Sequence, residues 1–459
     1  MTPDDFRRYG HQLVEWLAAY QEHPERYPVL SRNAPGALID ALPAAGPQHP
    51  ESMDRILADF EAHIVPALTH WNHPGFMAYF ATSAAGPGIL AEFLAAGLNA
   101  NGILWKTAPA VTELEQVTLA WLRDWMGLSE HWFGLIFDTA SIGSLHAILA
   151  AREAAAPSFR VEGSGPRLTV YCSEHAHSSI DKAVMAAGIG SANLRKIGAD
   201  AEFRMRPDLL EKAIKEDLAR GAKPCCVVAT VGTTSSTSVD PVPAIGAIAR
   251  RHGMWLHVDA AYAGSAAIVP ELQWLLDGVE QADSLVTNPH KWLFTPLDLS
   301  VLYTRRPDVL RQAFSLVPEY LRSRENPRAV NLMEYGIPLG RRFRALKLWF
   351  ILRYYGRDGL AAMIRAQVGW MAELAAQVEA HPDFELCAPA PLSVVCLRHR
   401  SDDETNRHIL ESINAGGEIF LSHTMLAGRY VIRVAIGNQN TTRDHVQRAW
   451  QLILNASSR

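Results

Sequence analysis

The sequence predicts an α/β fold with one large, mainly parallel sheet of seven strands and a smaller α/β domain after it. Between residues 130 and 305, seven short apolar runs alternate with amphipathic helical patterns. This alternation is typical of parallel strands covered by helices on both faces of a sheet. In addition, a chain of 459 residues exceeds the size of one compact core, so several lobes are expected.

The N-terminal segment is predicted to be a helical arm. Apolar residues recur at helical spacing in 4–22, the Pro-rich stretch 27–50 is extended, and 51–68 is helical again. Such an arm could clasp a partner subunit or serve as a surface connector, and its pattern alone leaves both alternatives open.

Two helices are predicted ahead of the sheet, at 86–100 and 108–128. In the second helix, Thr112 and Glu115 have the spacing of a capping box. The seven strands follow, and each is a short apolar run bounded by turn residues. In chain order the runs are "GLIFDT", "RLTVYCS", "NLRKIG", "PCCVVATVG", "MWLHVDA", "DSLVTN" and "LSVLYTR".

The C-terminal part is predicted to be a small α/β domain. A long helical pattern at 341–356 is followed by helix, strand, helix, strand and helix up to the C-terminus. We therefore expect three parts: an N-terminal dimerisation segment at 1–85, a large domain at 86–345 and a small domain at 346–459.

The composition excludes several classes of function. A net charge of −5 gives no basic face for nucleic acid, and no apolar run is long enough to span a membrane. The N-terminus lacks the apolar core of a signal peptide. The five cysteines contain no CxxC pair and predict neither a disulfide framework nor a metal site, so we expect reduced thiols in a cytoplasmic protein.

Small and polar residues follow five of the predicted strands. Ligands of open parallel sheets bind at the carboxyl ends of the strands, so these residues are candidates for one common site. They are Asp138, Thr139, Ala140, Ser141, His175, His177, Thr233, Thr234, Asp259, Asn288, His290 and Lys291.

Lys291 and Asp259 together indicate a particular chemistry. A lysine in a partly apolar pocket can form a Schiff base, and a buried carboxylate requires a cationic partner. Taken alone, Lys291 could be an exposed lysine after a turn and Asp259 could pair with an arginine. Taken together, they are the pair required by pyridoxal 5'-phosphate, with the aspartate on the pyridinium nitrogen.

A third feature supplies a place for the cofactor's phosphate. The stretch "DTASIGSLHAIL" puts small and hydroxyl residues at a strand-to-helix junction, where backbone N–H groups bind anions. An ordinary helix cap has the same composition, so the prediction depends on all three features around one sheet.

Several motifs make the chain similar to a known family. The stretches "HVDAAYAGSA", "NPHKWL", "AHSSIDKA", "VGTTSSTSVD" and "IPLGRRFRALKLWF" resemble those of the group II pyridoxal-phosphate decarboxylases, and most closely the aromatic L-amino acid decarboxylase branch. The resemblance covers nearly the whole chain. It implies an aspartate-aminotransferase-like (type I) fold, decarboxylation of an aromatic L-amino acid to its amine, and a homodimer with sites at the subunit interface.

The resemblance also implies roles for individual residues. Lys291 would hold the cofactor, Asp259 would keep its ring nitrogen protonated, and His177 would stack on the ring near the substrate carboxylate. Other residues would surround the phosphate or line the cofactor and substrate sites. They are Ala140, Ser141, Asn288 and His290 at the phosphate, Thr234 and Ala261 at the cofactor, and Tyr79 and Thr82 on the substrate side.

The chain departs from the family at a loop position and in the substrate pocket. Leu332 stands where the family usually has the tyrosine that protonates the substrate carbon, and Tyr335 lies three residues later. Loss of that donor would permit oxidation by oxygen to an aldehyde, ammonia and peroxide. We favour ordinary decarboxylation, with Tyr335, His177 or a water as the donor. Ile103 replaces a pocket phenylalanine, so the pocket should stay apolar.

Two other functions are compatible with the same fold. A different pyridoxal-phosphate reaction, such as transamination or aldol cleavage, would release no carbon dioxide from the substrate. A non-enzymatic protein that kept the fold would have no use for Lys291, Asp259 and His177 together.

Overall fold

Twelve β-strands lie in the part of the chain that the computed structural model describes, residues 1–316 and 328–458. They form one sheet of seven strands and one of five. The strands are β1 (Phe76–Met77), β2 (Phe133–Phe137), β3 (Leu168–Ser173), β4 (Leu194–Ile197), β5 (Lys223–Thr230), β6 (Trp255–Asp259), β7 (Ser284–Thr287), β8 (Ser300–Thr304), β9 (Phe384–Leu386), β10 (Val394–His399), β11 (Phe420–Leu426) and β12 (Arg429–Ala435).

Helices precede the sheets, cover them and connect their strands. Within the described residues they are α1 (Pro3–Glu22), α2 (Ala37–Ala41), α3 (Met53–Asp59), α4 (Gly86–Leu98), α5 (Pro109–Trp125), α6 (Ala140–Ala155), α7 (Phe159–Glu162), α8 (Ser179–Ala186), α9 (Pro207–Ala219), α10 (Val242–Arg251), α11 (Pro289–Trp292), α12 (Pro307–Phe314), α13 (Ala345–Ala380), α14 (Asp403–Gly416) and α15 (Arg443–Ser457).

The large sheet has the strand order β2–β8–β7–β6–β5–β3–β4. Strands β4, β3, β5, β6 and β7 pair in parallel, and β8 runs antiparallel to both of its neighbours. The predicted seven-stranded, mainly parallel sheet is therefore confirmed. Because β2 and β7 both run opposite to β8, the carboxyl ends of β2, β3, β5, β6 and β7 all meet at one edge.

Helices cover both faces of this sheet. One apolar core lies between the sheet and α5, α9, α10 and α13, and the other lies under α6, α8 and α12. Five strands of this sheet are almost wholly buried, namely β3, β5, β6, β7 and β8, which is why they appear in the sequence as near-continuous apolar runs.

The small sheet takes one strand from the N-terminal segment. Its order is β1–β11–β12–β10–β9, and β1 runs parallel to β11 with Phe76 opposite Phe420. The segment 1–85 is thus joined to the C-terminal domain by backbone pairing. The division into parts at 85 and 345 stays a prediction.

Helix α13 is interrupted at Gly356, which has a left-handed φ of 62°. This conformation costs a glycine little, because glycine has no Cβ. The apolar residues of α13 on both sides of the break belong to the first core, and those near its C-terminal end pack in the core of the small sheet.

The predicted capping box at Thr112 is wrong. Helix α5 begins one turn earlier, with Ala108 as its N-cap. Glu115 is instead buried, where it accepts the backbone N–H of Ile136 at 2.8 Å and pairs with Arg341 at 2.6 Å. A carboxylate used by residues distant in sequence is not available for a local cap.

No helix within the described ranges is both long enough and apolar enough to cross a membrane.

Candidate active site

A cavity of about 220 Å³ opens at the edge of the large sheet where the strand ends meet. It is lined by all nine residues that the sequence analysis assigned to cofactor binding. They are Ala140, Ser141, His177, Thr234, Asp259, Ala261, Asn288, His290 and Lys291.

Lys291 lies in the single turn of α11, directly after β7. Its backbone N–H donates to the carbonyl of Asn288 at 2.9 Å, and its Nζ lies 5.0 Å from the centre of the Phe80 ring. Burial lowers the pKa of Lys291 to about 8, the charge of Asp259 opposes this shift, and that of Arg433 adds to it. About a tenth of this amine is therefore neutral, and so nucleophilic, at pH 7.

Asp259 ends β6, with 5% of its surface exposed. Its Oδ1 accepts the backbone N–H of Ala261 at 3.1 Å. Among the described residues no lysine or arginine forms an ion pair with it, so the alternative of an arginine salt bridge is not observed there. A buried carboxylate without a protein cation suits a cationic ligand nitrogen.

His177 follows β3 on the opposite side of the cavity from β7. The backbone N–H of Ser179 donates to its Nδ1 at 3.2 Å, and the Ser179 hydroxyl lies 2.8 Å from the same atom. In the neutral ring the proton is therefore on Nε2. Burial lowers the pKa of His177, and Asp259 partly opposes this shift.

The N-terminus of α6 forms another wall of the cavity. The N–H groups of Ile142 and Gly143 bond to the carbonyl of Thr139, whereas those of Ala140 and Ser141 have no acceptor inside the helix. Free N–H groups and the helix dipole favour an anion at this point.

Two side chains from the β7–β8 connection complete this wall. Asn288 has a buried side-chain oxygen without a hydrogen-bond partner among the described residues. His290 accepts the N–H of Leu299 on Nδ1 at 3.0 Å, and burial lowers its pKa to about 3, so its ring is neutral. The amide N–H group of Asn288 and the Nε2–H group of His290 can donate to a phosphate without adding a fixed charge.

The comparison with protein families decides the identity. A family model described as "Pyridoxal-dependent decarboxylase conserved domain" matches residues 35–400. This chain belongs to the pyridoxal-dependent decarboxylase family. Its resemblance to that family, its type I fold, and its assignment as a carboxy-lyase that uses pyridoxal phosphate are therefore confirmed.

Individual decarboxylases and synthases are similar over nearly their whole length. Tyrosine decarboxylase 4 of Petroselinum crispum is 41% identical, over 99% of this chain and 93% of that protein. A phenylacetaldehyde synthase of Arabidopsis thaliana is 40% identical, over 100% and 97%. The solved structure of Oryza sativa TDC with PLP and tryptamine is 36% identical with a TM-score of 0.96, covering 100% of this chain and 98% of that chain.

The cavity of this decarboxylase fits pyridoxal phosphate. It combines a lysine of lowered pKa, a buried carboxylate that forms no ion pair with a described residue, and a helix N-terminus with backbone N–H groups that have no acceptor inside the helix. These are the complements of an aldehyde, a protonated ring nitrogen and a phosphate.

The five residues assigned to the substrate side do not line this cavity. Tyr79 is exposed on the surface with a φ of 51°, and Thr82 is partly buried three residues later. Ile103 packs beside Leu104 and Met333 in a separate apolar cluster.

The two loop residues, Leu332 and Tyr335, lie outside the cavity. Leu332 is only 2% exposed and packs into the core under α6. The Tyr335 ring packs against the Phe133 ring in a tilted arrangement, with 5.0 Å between the ring centres. An apolar side chain is more stable in the core than in an open loop.

Two aromatic residues of the cavity were missed from the sequence. The ring of Phe80 stacks on that of Tyr262 at 3.8 Å, and Tyr262 stacks in turn on Trp292 at 4.6 Å. Both lie next to residues that were selected, Tyr79 and Ala261. Their apolar character made them look like core residues.

Arg433 of β12 was also missed. It is 3% exposed, lies 4.8 Å over the Phe80 ring, and donates to the backbone carbonyls of Tyr79 and Ser235. Its Nη2 has no hydrogen-bond partner within the described part of the chain. The sequence feature that could have identified Arg433 is a charged residue inside the apolar run "RYVIRVAIG". This run forms a strand that is buried on both faces, where an arginine is rare.

Proposed function

We propose that the protein decarboxylates an aromatic L-amino acid to the corresponding amine and carbon dioxide. The observation that carries this proposal is that Lys291 and Asp259 line the same cavity, beside the N-terminus of α6. The substrate class is supported by the relatives, which are named for tyrosine and for phenylacetaldehyde.

The cofactor is proposed to be held at three points. Lys291 attaches to its aldehyde carbon, Asp259 bonds to the ring nitrogen, and the N–H groups of Ala140 and Ser141 bind the phosphate. Thr234, Ala261, Asn288 and His290 complete the surrounding wall. Bound pyridoxal phosphate supplies an electron sink for the bond between the substrate carbon and its carboxylate.

The chain's own contribution to the reaction is the control of protons and charge. The carboxylate of Asp259 keeps a proton on the atom it contacts, which strengthens the sink. His177 presents an Nε2 proton to the cavity, because its Nδ1 is occupied by Ser179. We assign to this proton the protonation of the substrate carbon, since Leu332 cannot supply one.

A homodimer is part of the proposal. Large apolar side chains on α1 and α4 are exposed together, more than isolated surface residues would explain. They are Phe6, Leu13, Val14, Leu17, Leu90, Phe93, Leu94 and Leu98. We also propose that the sites lie at the interface between the two copies.

Sedimentation analysis tests the homodimer. Leu94→Glu on α4 should convert dimer to monomer. The matched control is Met185→Glu on α8, which is also exposed but far from this face, and it should leave the dimer intact. A parent chain that sediments as a monomer would contradict this part of the proposal.

The location and the division into parts complete the proposal. The five cysteines are all free, and four of them are buried, which supports a location in the reducing cytoplasm.

We propose that 1–85 is the dimerisation segment, 86–345 the cofactor domain and 346–459 the small domain.

A second candidate function is oxidative deamination to an aldehyde. It is favoured by Leu332, which lacks a proton donor and lies in the core, and by the similarity to a phenylacetaldehyde synthase. We keep it second because His177 retains a proton facing the cavity.

The deciding experiment measures products. The full-length protein, loaded with pyridoxal phosphate, receives tyrosine, tryptophan, phenylalanine or dihydroxyphenylalanine, with glutamate as the control substrate. We expect carbon dioxide and amine in equal amounts from an aromatic substrate and neither from glutamate. Aldehyde with peroxide would establish the second function, and an absence of carbon dioxide from every aromatic substrate would refute both.

A further inference from the structure

A buried histidine links the elements that carry the three cofactor contacts. His257 lies on β6, two residues before Asp259, and is fully buried. Its Nδ1 is 2.9 Å from the hydroxyl of Ser284 on β7, and its Nε2 is 3.0 Å from the hydroxyl of Ser144 on α6. One imidazole ring thus bridges a helix and two strands.

The network has its polar groups satisfied without any ligand. Trp255 donates its indole N–H to the Ser284 hydroxyl at 2.8 Å. Burial lowers the pKa of His257 to about 4, so the ring is neutral at pH 7. A neutral imidazole has one donor and one acceptor, and a serine hydroxyl can serve as either, so both bonds form. A satisfied buried network holds its members in one arrangement.

The helix and the two strands that His257 connects each carry, or directly precede, a residue proposed to contact the cofactor. Ser144 lies one helical turn after Ala140, at the anion-binding end of α6. Asp259 ends the strand that carries His257, and Ser284 begins the strand that leads to Lys291.

We infer that His257 is a positioning residue for the cofactor, which sets the distance between the phosphate-binding end of α6 and the carboxylate of Asp259. This inference rests on the proposed cofactor contacts. A rigid ligand held at both ends binds well only if its two anchors keep their spacing to within about 0.5 Å. The bond between His257 and Ser144 links α6 directly to β6.

Paired variants separate the two sides of the network. In His257→Gln the amide reaches the place of Nε2 and can still bond to Ser144. In His257→Asn the shorter amide takes the place of Nδ1 and bonds to Ser284 only. Ser144→Ala removes the helix side without changing the histidine. Val258→Ala, on the opposite face of the same strand, is the control for general destabilisation.

The measurement is the dissociation constant of pyridoxal phosphate from the full-length chain, by absorbance titration, together with the melting temperature of the cofactor-free chain. We expect Ser144→Ala and His257→Asn to weaken binding about tenfold, the effect of one buried hydrogen bond. His257→Gln should stay within about threefold of the parent, and Val258→Ala should lower the melting temperature with little change in binding.

Equal affinity in the parent and in Ser144→Ala would overturn the inference, as would a loss of affinity in Val258→Ala as large as that in Ser144→Ala. A parent chain that binds no pyridoxal phosphate would instead refute the proposed function. If His257→Asn fails to fold, Ser144→Ala alone decides between these outcomes.

Discussion

Trp105 donates its backbone N–H to the side-chain oxygen of Asn331 at 3.0 Å. This bond ties the segment that contains Ile103 to the loop that contains Leu332. The side chains of Leu104 and Met333 pack together beside it. The pocket segment and the loop are therefore linked, and a change in one should affect the position of the other.

Removal of this bond should alter substrate affinity. We expect Asn331→Ala to raise KM for an aromatic substrate about three- to tenfold, the effect of one hydrogen bond, with faster amide hydrogen exchange at Trp105. Asn331→Asp keeps an oxygen acceptor and is the control, with both properties near those of the parent. Unchanged exchange in Asn331→Ala would show that the bond does not hold the segment.

Lys291→Ala should abolish turnover. The alanine has no amine to attach to the cofactor, while the phosphate contacts on α6 remain. We expect the variant to bind pyridoxal phosphate more weakly and to release it on gel filtration. Steady-state assays measure the loss, and mass spectrometry after borohydride reduction should find the cofactor covalently attached in the parent only. Substantial turnover by the alanine variant would remove Lys291 from its proposed role.

Attachment of the cofactor should depend on pH through Lys291. Only the neutral amine attacks an aldehyde, and burial places the pKa of Lys291 at about 8. The rate of attachment to the cofactor-free chain should therefore rise with pH and level off above about pH 8. Stopped-flow absorbance measures this rate.

Asp259→Asn is the control for that profile. The carboxylate of Asp259 raises the pKa of Lys291, so its removal should move the midpoint to lower pH. The same variant should lose most of its kcat, because an amide cannot keep the ring nitrogen protonated. An unmoved midpoint would mean that another group controls attachment.

Under the second candidate function, in which the parent chain releases aldehyde, a tyrosine at position 332 should shift the products toward amine. A phenol within reach of the substrate carbon can speed protonation by on the order of a hundredfold. Leu332 is buried, so Leu332→Tyr should also cost about 1–3 kcal/mol of stability through overpacking. Leu332→Phe is the matched control, since it has the same ring without the hydroxyl. A similar product ratio in both variants would show that the hydroxyl does not reach the substrate.

Most of the cofactor cavity was predictable because its residues follow strand ends. Asp259 and Lys291 each come directly after a short apolar run, and parallel pairing brings such positions to one edge. Arg433 was not predictable in this way, since it reaches the site from a different sheet. Leu332 was placed by analogy with a loop, but its apolar side chain is buried in the core. The positions of Arg433 and Leu332 depend on packing between residues that are distant in the sequence, and a local sequence pattern does not reveal such contacts.

The pairing of β1 with β11 has a consequence for biosynthesis. Tyr79, just after β1, donates its backbone N–H to Ser422, 343 residues later along the chain. The backbone partners of the N-terminal segment are therefore synthesised only after nearly the whole polypeptide has left the ribosome. Contacts of such high sequence separation slow folding and leave apolar surface exposed meanwhile. Nascent chains truncated before β11 should bind chaperones, and the final forty residues should govern the yield of folded enzyme.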